Sequence, residues 1–124
     1  MTHVSDKIIV ALDVTTETEA LALVSRLRDH VSRFKVGLQL YTAAGPDVVG
    51  KISQTGAKVF LDLKLHDIPN TVAAAVKSAA NLGVEMLTIH LSGGEAMIRA
   101  AVQSAKGRLT VLGVTVLTSQ TEET

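Results

Sequence analysis

The chain has 124 residues, with 12 Lys and Arg balanced by 12 Asp and Glu, and no cysteine. That length suits one modest domain, and the lack of cysteine excludes disulfides, thiolate zinc sites and iron–sulfur clusters. Zero formal net charge and only three aromatic residues, Phe34, Tyr41 and Phe60, argue against a nucleic-acid binder and against an anionic-membrane binder. Hydrophobic residues make up 47% and charged residues 19%, a composition that folds. The longest apolar runs, at 8–12 and 111–117, are too short to cross a bilayer, and the opening MTHVSDK is not followed by the apolar core of a signal peptide. A soluble cytoplasmic protein is expected.

In chain order, Ile8-Ile9-Val10-Ala11-Leu12-Asp13 reads as a buried strand closing on an acid. Thr16 and Glu19 have the spacing of a capping box, and the helical pattern continues to about His30. A second strand is predicted over 34–38, with Lys35 and Gly37 on one face. Pro46 opens a helix that runs to about Thr55 and stops at Gly56. The third strand covers 59–64; its alternation puts Asp62 and Lys64 on one face and Leu61, Leu63 and Leu65 on the other. Pro69 ends that run, and Asn70 or Thr71 caps an Ala-rich helix from near Val72 to Leu82, with Gly83 as its stop. A fourth strand at 86–90 is followed by the turn Ser92-Gly93-Gly94, a helix at 95–105 and a stop at Gly107. A fifth strand is predicted over 109–117, and Thr118-Ser119-Gln120 opens a loop.

Strands and helices thus alternate, with strand starts about 25 residues apart, the rhythm of right-handed crossovers in a parallel sheet. No linker, low-complexity tract or charge block interrupts this rhythm, so residues 1–124 are expected to form one domain. A doubly wound open sheet and a (β/α)8 barrel both fit. The first lacks its fingerprint, because Asp13-Val14-Thr15-Thr16 stands where a glycine loop would follow the first strand. Polar groups close four successive strands: Asp13, Lys35, Asp62 with Lys64, and His90. That pattern favours a barrel, where many strands feed one mouth. On this reading the fold class is α/β of the TIM-barrel type. The chain would cover about the first four and a half β/α units, the N-terminal half of a barrel.

Taken singly, these residues have ordinary explanations. Asp13 suits a turn or a helix cap, Lys35 a solvated strand end, His90 a satisfied interior histidine and His66 a loop. Glu95 complements a helix dipole, and Thr118 or Ser119 could cap a further helix. Jointly they say more. The run Asp62-x-Lys64-x-x-Asp67, with Lys35 at the end of the preceding strand, gathers acids and bases at one place. Alternating signs let all of them stay ionised, because each charge has opposite neighbours. Such an array serves either as a structural ion cluster or as a catalytic one.

The run Asp62-Leu63-Lys64-Leu65-His66-Asp67-Ile68-Pro69-Asn70-Thr71 closely resembles the signature of the bacterial-type orotidine 5'-phosphate decarboxylases. The likeness extends over essentially the whole chain. Ile9-Val10-Ala11-Leu12-Asp13 resembles that family's first strand, Phe34-Lys35-Val36-Gly37 its second and Val114-Thr115-Val116-Leu117-Thr118-Ser119 its fifth. Sister families of the same barrel, magnesium-dependent and acting on sugar phosphates, share the Asp-x-Lys-x-x-Asp run but lack the Ile-Pro-Asn-Thr continuation.

The resemblance implies a lyase of pyrimidine and UMP biosynthesis that converts orotidine 5'-phosphate to UMP without metal or organic cofactor. It implies Lys64, Asp62, Lys35 and Asp67 as catalytic residues. Lys64 protonates C6, Asp62 lies beside the substrate carboxylate, and Lys35 holds Asp62 and a ribose hydroxyl. Asp13 binds ribose, and Thr118 contacts the pyrimidine ring. Asp67 and Thr71, with Ile68 between them among the substrate-binding residues, reach the neighbouring site of a homodimer. No nucleic-acid or membrane partner is implied. The family's phosphate grip, an arginine and a closing loop from later barrel units, has no counterpart among the 124 residues, so efficient turnover by these residues alone is not expected. A magnesium-dependent sugar-phosphate decarboxylase or aldolase, and an inactive half-barrel, remain as alternatives.

Overall fold

The computed structural model describes residues 4–117 and 119. After a 3-10 turn at Val4–Lys7 come β1 (Ile9–Ala11), α1 (Glu17–Leu27), β2 (Arg33–Gly37), α2 (Leu38–Ala44), α3 (Pro46–Gln54) and β3 (Lys58–Leu65). The chain continues through α4 (Pro69–Asn81), β4 (Met86–His90), a 3-10 turn at Leu91–Gly93, α5 (Glu95–Ala105) and β5 (Thr110–Val114). None of the helices is long and apolar enough to cross a membrane, among the described residues.

All five strands are parallel, and their order in space is β1-β2-β3-β4-β5. That order separates the two candidate architectures. A doubly wound sheet reverses direction beside its first strand. Here each strand lies next to its predecessor without reversal, which is the progression of a barrel wall.

Side-chain alternation builds two unlike faces. In β2, Phe34 and Val36 are fully buried against the helices, whereas Arg33, Lys35 and Gly37 face the other way and are half-buried. Val59 and Leu61 of β3, and Leu87 and Ile89 of β4, continue the buried side. The helices answer with Val24, Val48, Val49, Ile52, Val72, Val76, Met97 and Ala101. Each such aliphatic side chain contributes about 1.5–3 kcal/mol relative to exposure. The small residues of the Ala-rich α4 let α5 pack closely against it, and Ser104 on α5 donates a hydrogen bond to the Ala73 carbonyl.

Several element boundaries differ from the sequence expectation. The stretch after β2 is not a tail of strand but the short helix α2, anchored by buried Leu40. Gly45, at φ +74°, turns the chain from α2 into α3 and precedes Pro46 at the first helical position. Helix α4 starts at Pro69, not near Val72, and its N-cap is Ile68, not Asn70 or Thr71. Proline lacks an N–H and has a preset φ, so it opens the helix as readily as it ends the strand. β1 is shorter than expected, although the Leu12 amide still donates to the Lys35 carbonyl at 3.0 Å and carries the chain to Asp13 in register. β5 ends at Val114, short of the expected 117. α1 ends at Leu27 and does not reach His30. The Thr16 cap is as expected: its hydroxyl accepts from the Glu19 amide and donates to the Glu19 carboxylate, both at 3.1 Å.

Candidate active site

At the carboxyl ends of the strands a cavity of about 440 Å³ is lined by Asp13, Lys35, Gly37, Leu38, Gln39, Asp62, Leu63, Lys64, His90 and Leu117. Asp62 is its centre. Lys64 Nζ lies 3.0 Å from both carboxylate oxygens of Asp62, and Lys35 Nζ lies 4.0 Å from Oδ2. The Asp62 side chain is only 14% exposed, while those of Lys35 and Lys64 are 31% and 37% exposed. The acid is therefore held from the wall side, and both ammonium groups retain access to the cavity.

Lys64 reaches this position through an irregularity in β3. Leu61 pairs with Leu87 and Leu65 with Ile89, so β3 takes four steps where β4 takes two. Within the resulting bulge Lys64 has φ +50°, a left-handed backbone that costs a non-glycine residue about 1–2 kcal/mol. The strict alternation expected for 61–65 fails here, and Leu63 joins Asp62 and Lys64 in the cavity wall. Thr88 of β4 bridges the bulge. Its hydroxyl donates to Asp62 Oδ1 at 2.8 Å and accepts from the Lys64 amide at 2.9 Å.

Burial pushes the Asp62 carboxyl up, but hydrogen bonds from Thr88 and Lys64, with the charges of Lys64 and Lys35, outweigh it and hold Asp62 below the ordinary carboxylate range. The array is thus cation, anion, cation across adjacent strands. It can present a charged proton donor to a bound molecule while keeping a carboxylate ionised beside it.

The structure brings together Asp13, Lys35, Asp62 and Lys64, as the sequence predicted. It does not bring Asp67, Ile68 or Thr71 into the same cavity: all three are exposed, and the Asp67 carboxylate accepts from the Ile68 amide at 2.7 Å. Thr118 lies outside the described residues. His66 is an exposed loop residue as expected, with its ring 5.7 Å from that of His90. His90 belongs to the cavity wall rather than to the interior. Glu95 pairs with Arg99 one helical turn on, in solvent. A second concavity, of about 320 Å³, is lined by residues that include Arg28, Asp29, Ser32 and Thr55. None of its residues joins an ion pair among the described residues, so it offers no comparable chemistry.

Sequence reasoning missed Thr88, Leu38 and Gln39. Thr88 did carry a signal, a lone hydroxyl inside the apolar strand Met86-Leu87-Thr88-Ile89, and it is the one buried polar residue among those described. Leu38 and Gln39 carried none, since they face the cavity only because α2 begins where β2 stops.

Residues 6–124 match the family model described as orotidine 5'-phosphate decarboxylase / HUMPS family. The chain is similar to the orotidine 5'-phosphate decarboxylase of Carboxydothermus hydrogenoformans, 48% identical over 126 residues that cover 96% of this chain and 52% of the relative. It is also similar to that of Paramagnetospirillum magneticum, 51% identical over 118 residues, covering 89% and 50%. Among solved structures, the orotidine 5'-phosphate decarboxylase of Lactobacillus acidophilus superposes with a TM-score of 0.83 at 40% identity, over 94% of this chain and 55% of that one. The Pyrococcus horikoshii enzyme gives 0.73 at 27% identity, over 86% and 50%. The chain therefore spans about half the length of the relatives it matches, and its sheet is the corresponding half of a TIM-barrel wall. Sheet order, strand-end charges and these likenesses agree: the chain belongs to the orotidine 5'-phosphate decarboxylase / HUMPS family.

Proposed function

We propose that this chain carries the proton-donating side of an active site that decarboxylates orotidine 5'-phosphate to UMP, a step of pyrimidine biosynthesis. The observation that carries the proposal is the Lys64 ammonium, fixed 3.0 Å from both oxygens of Asp62 at a cavity on the carboxyl ends of the strands. The names of the relatives supply the substrate. In this reading the C6–carboxylate bond breaks, its electron pair stays on C6, and Lys64 delivers a proton there as CO2 leaves. The ammonium also stabilises the developing negative charge. Asp62 sits beside the substrate carboxylate. Two like charges about 4 Å apart repel by roughly 4 kcal/mol at an effective dielectric of 20, and departure of CO2 relieves that repulsion. Lys35 holds Asp62 and a ribose hydroxyl, Asp13 binds ribose, and Thr118 contacts the ring.

Asp67 and Thr71 work in trans in this proposal, across a homodimer in the cytoplasm, and Ile68 is among the substrate-binding residues. The exposure of Asp67 and Thr71 outside their own cavity supports that role. The test is loss of ultraviolet absorbance on mixing orotidine 5'-phosphate with this chain, and with a chain extended by the C-terminal half of a relative. Absence of turnover in both would sink the proposal. The family description also names HUMPS, which keeps the magnesium-dependent sugar-phosphate reading alive. Activity that survives EDTA favours the decarboxylase, and activity that EDTA abolishes favours the sister reaction.

A further inference from the structure

The family signature does not include Thr88, yet every irregular feature of the site converges on it. Its side chain is buried, at 4% exposure, on a strand whose neighbours are apolar. A hydroxyl has one proton to donate and lone pairs to accept with. Thr88 uses both sides: it donates to Asp62 Oδ1 and accepts from the Lys64 amide. These two bonds span the two extra residues of β3, where the β3–β4 register shifts. A strained backbone persists only where its surroundings over-determine it, and the Thr88 hydroxyl is the β4 group that meets Lys64 at its left-handed turn.

We propose that Thr88 is a positioning residue of the active site: one hydroxyl fixes both the Asp62 carboxylate and the backbone from which the Lys64 ammonium is presented. Thr88 does not line the cavity, so it acts through Asp62 and Lys64 and not on a bound molecule. A valine at 88 keeps the shape and removes both hydrogen bonds, whereas a serine keeps both. The inference about catalysis rests on the decarboxylase reading; the inference about geometry does not.

Two measurements test the two parts. The Asp62 carboxyl carbon can be titrated by NMR in aspartate-labelled chain. The groups facing Asp62 are Lys35 from β2, Lys64 on β3 itself, Thr88 and His90 from β4, and Asp13 beyond β1. Thr88→Val is expected to raise the Asp62 midpoint by about one pH unit, the size of one hydrogen bond to a charged group, and Thr88→Ser to leave it in place. In orotidine 5'-phosphate turnover, Thr88→Val is expected to lower kcat about tenfold with KM within about twofold, and Thr88→Ser to restore kcat. An unchanged Asp62 midpoint in Thr88→Val, or a serine variant that behaves like the valine one, would overturn the proposal. A shifted midpoint with wild-type kcat would overturn the catalytic part. If the unsubstituted chain gives no turnover even when extended by the C-terminal half of a relative, the decarboxylase reading fails and the midpoints alone decide the geometric part. Should the valine variant fold poorly, amide exchange in the unsubstituted chain serves instead: slow exchange at Lys64 supports the bond to Thr88, and exchange as fast as in exposed loops refutes it.

Discussion

The inner face of the sheet carries two ionic clusters, one at each end. At the amino ends, Glu85 sits between Arg33, with Nε at 2.7 Å, and Lys58, with Nζ at 3.3 Å. Arg33 also donates to the Asp6 carbonyl, and the Ser32 hydroxyl donates to the Asp6 carboxylate at 3.0 Å. At the carboxyl ends, Asp62 sits between Lys64 and Lys35. Each cluster is an acid between two cations. In each, burial pushes the carboxyl up, but hydrogen bonds and nearby cations prevail and hold it low. Charge pattern and pKa direction do not tell them apart. Two other properties do. The upper cluster lines its cavity with the acid and both cations and stands on an irregular, left-handed backbone; Glu85, Arg33 and Lys58 of the lower one line neither of the two cavities described above, and join regular strand starts to the turn at Val4–Lys7. An ion cluster becomes a candidate for chemistry when strain and space accompany it.

The sharpest way to break this comparison is to remove one cation from the upper end. In a complete barrel containing this segment, Lys64→Ala is expected to cut orotidine 5'-phosphate turnover by at least about a hundredfold while nucleotide binding stays detectable by calorimetry. A variant retaining more than about a tenth of the wild-type rate, less than 1.4 kcal/mol in the barrier, would remove Lys64 from the acid role.

Next in size is a gain of activity from two inactive proteins. Mixing Lys64→Ala with Asp67→Ala should recover about a quarter of the wild-type rate, because random pairing makes half the dimers mixed and each mixed dimer has one intact site. Demonstrated subunit exchange without recovered activity would place Asp67 in its own subunit's chemistry or in none.

The lower cluster is expected to answer in stability alone. Glu85→Ala leaves Arg33 and Lys58 without their shared acid, and should lower unfolding free energy by about 1–2 kcal/mol in a urea titration. The Glu85 side chain is 29% exposed, which keeps the loss below that of a fully buried pair. Turnover by the folded variant should equal wild type. A kcat loss matching that of Lys64→Ala would erase the functional distinction between the two ends.

The smallest expected effect is in pH dependence. The folded-state carboxyls of Asp62 and Glu85 lie below their ordinary values, so the folded state binds fewer protons than the unfolded chain around pH 4. Their contribution is fully present above the ordinary carboxylate range and is lost as pH falls through the lowered folded-state values. Melting temperature should be flat from about pH 5 upward on this account and fall below about pH 4. Glu85→Gln should flatten the acid fall by its share; an unaltered profile would mean that Glu85 is not held low.

Much of this was legible from residue types alone. Alternation in 34–37 and 59–62 gave the strands their faces, and the spacing of Asp13, Lys35, Asp62 and Lys64 placed them at one end of a parallel sheet. The bulge in β3 was not legible, because Leu63 and Leu65 continue an unbroken period of two; only the shorter count on β4 shows that residues are in excess. Helix α2 was hidden for a similar reason, since Leu38-Gln39-Leu40 alternates like a strand and its helicity depends on Leu40 finding the core. The closeness of Gly113 to Leu91 was equally invisible. A side chain there would require that of Leu91 to shift, a contact made only in three dimensions.

The excess in β3 is two residues, an even number. Leu61 and Leu65 therefore both end up paired with buried residues of β4, Leu87 and Ile89. Parity makes this segment an unequal target for insertion and deletion. Loss of one residue between Leu61 and Leu65 would invert everything downstream, turning Leu65 away from Ile89 and carrying the approach to α4 to the wrong side. Loss of the pair Leu63-Lys64 would keep the inside and outside of the wall intact while deleting the ammonium. A lineage could thus shed the Lys64 ammonium in a single in-frame step and keep the alternation of this part of the wall, a route by which one wall can be handed from one set of strand-end charges to another.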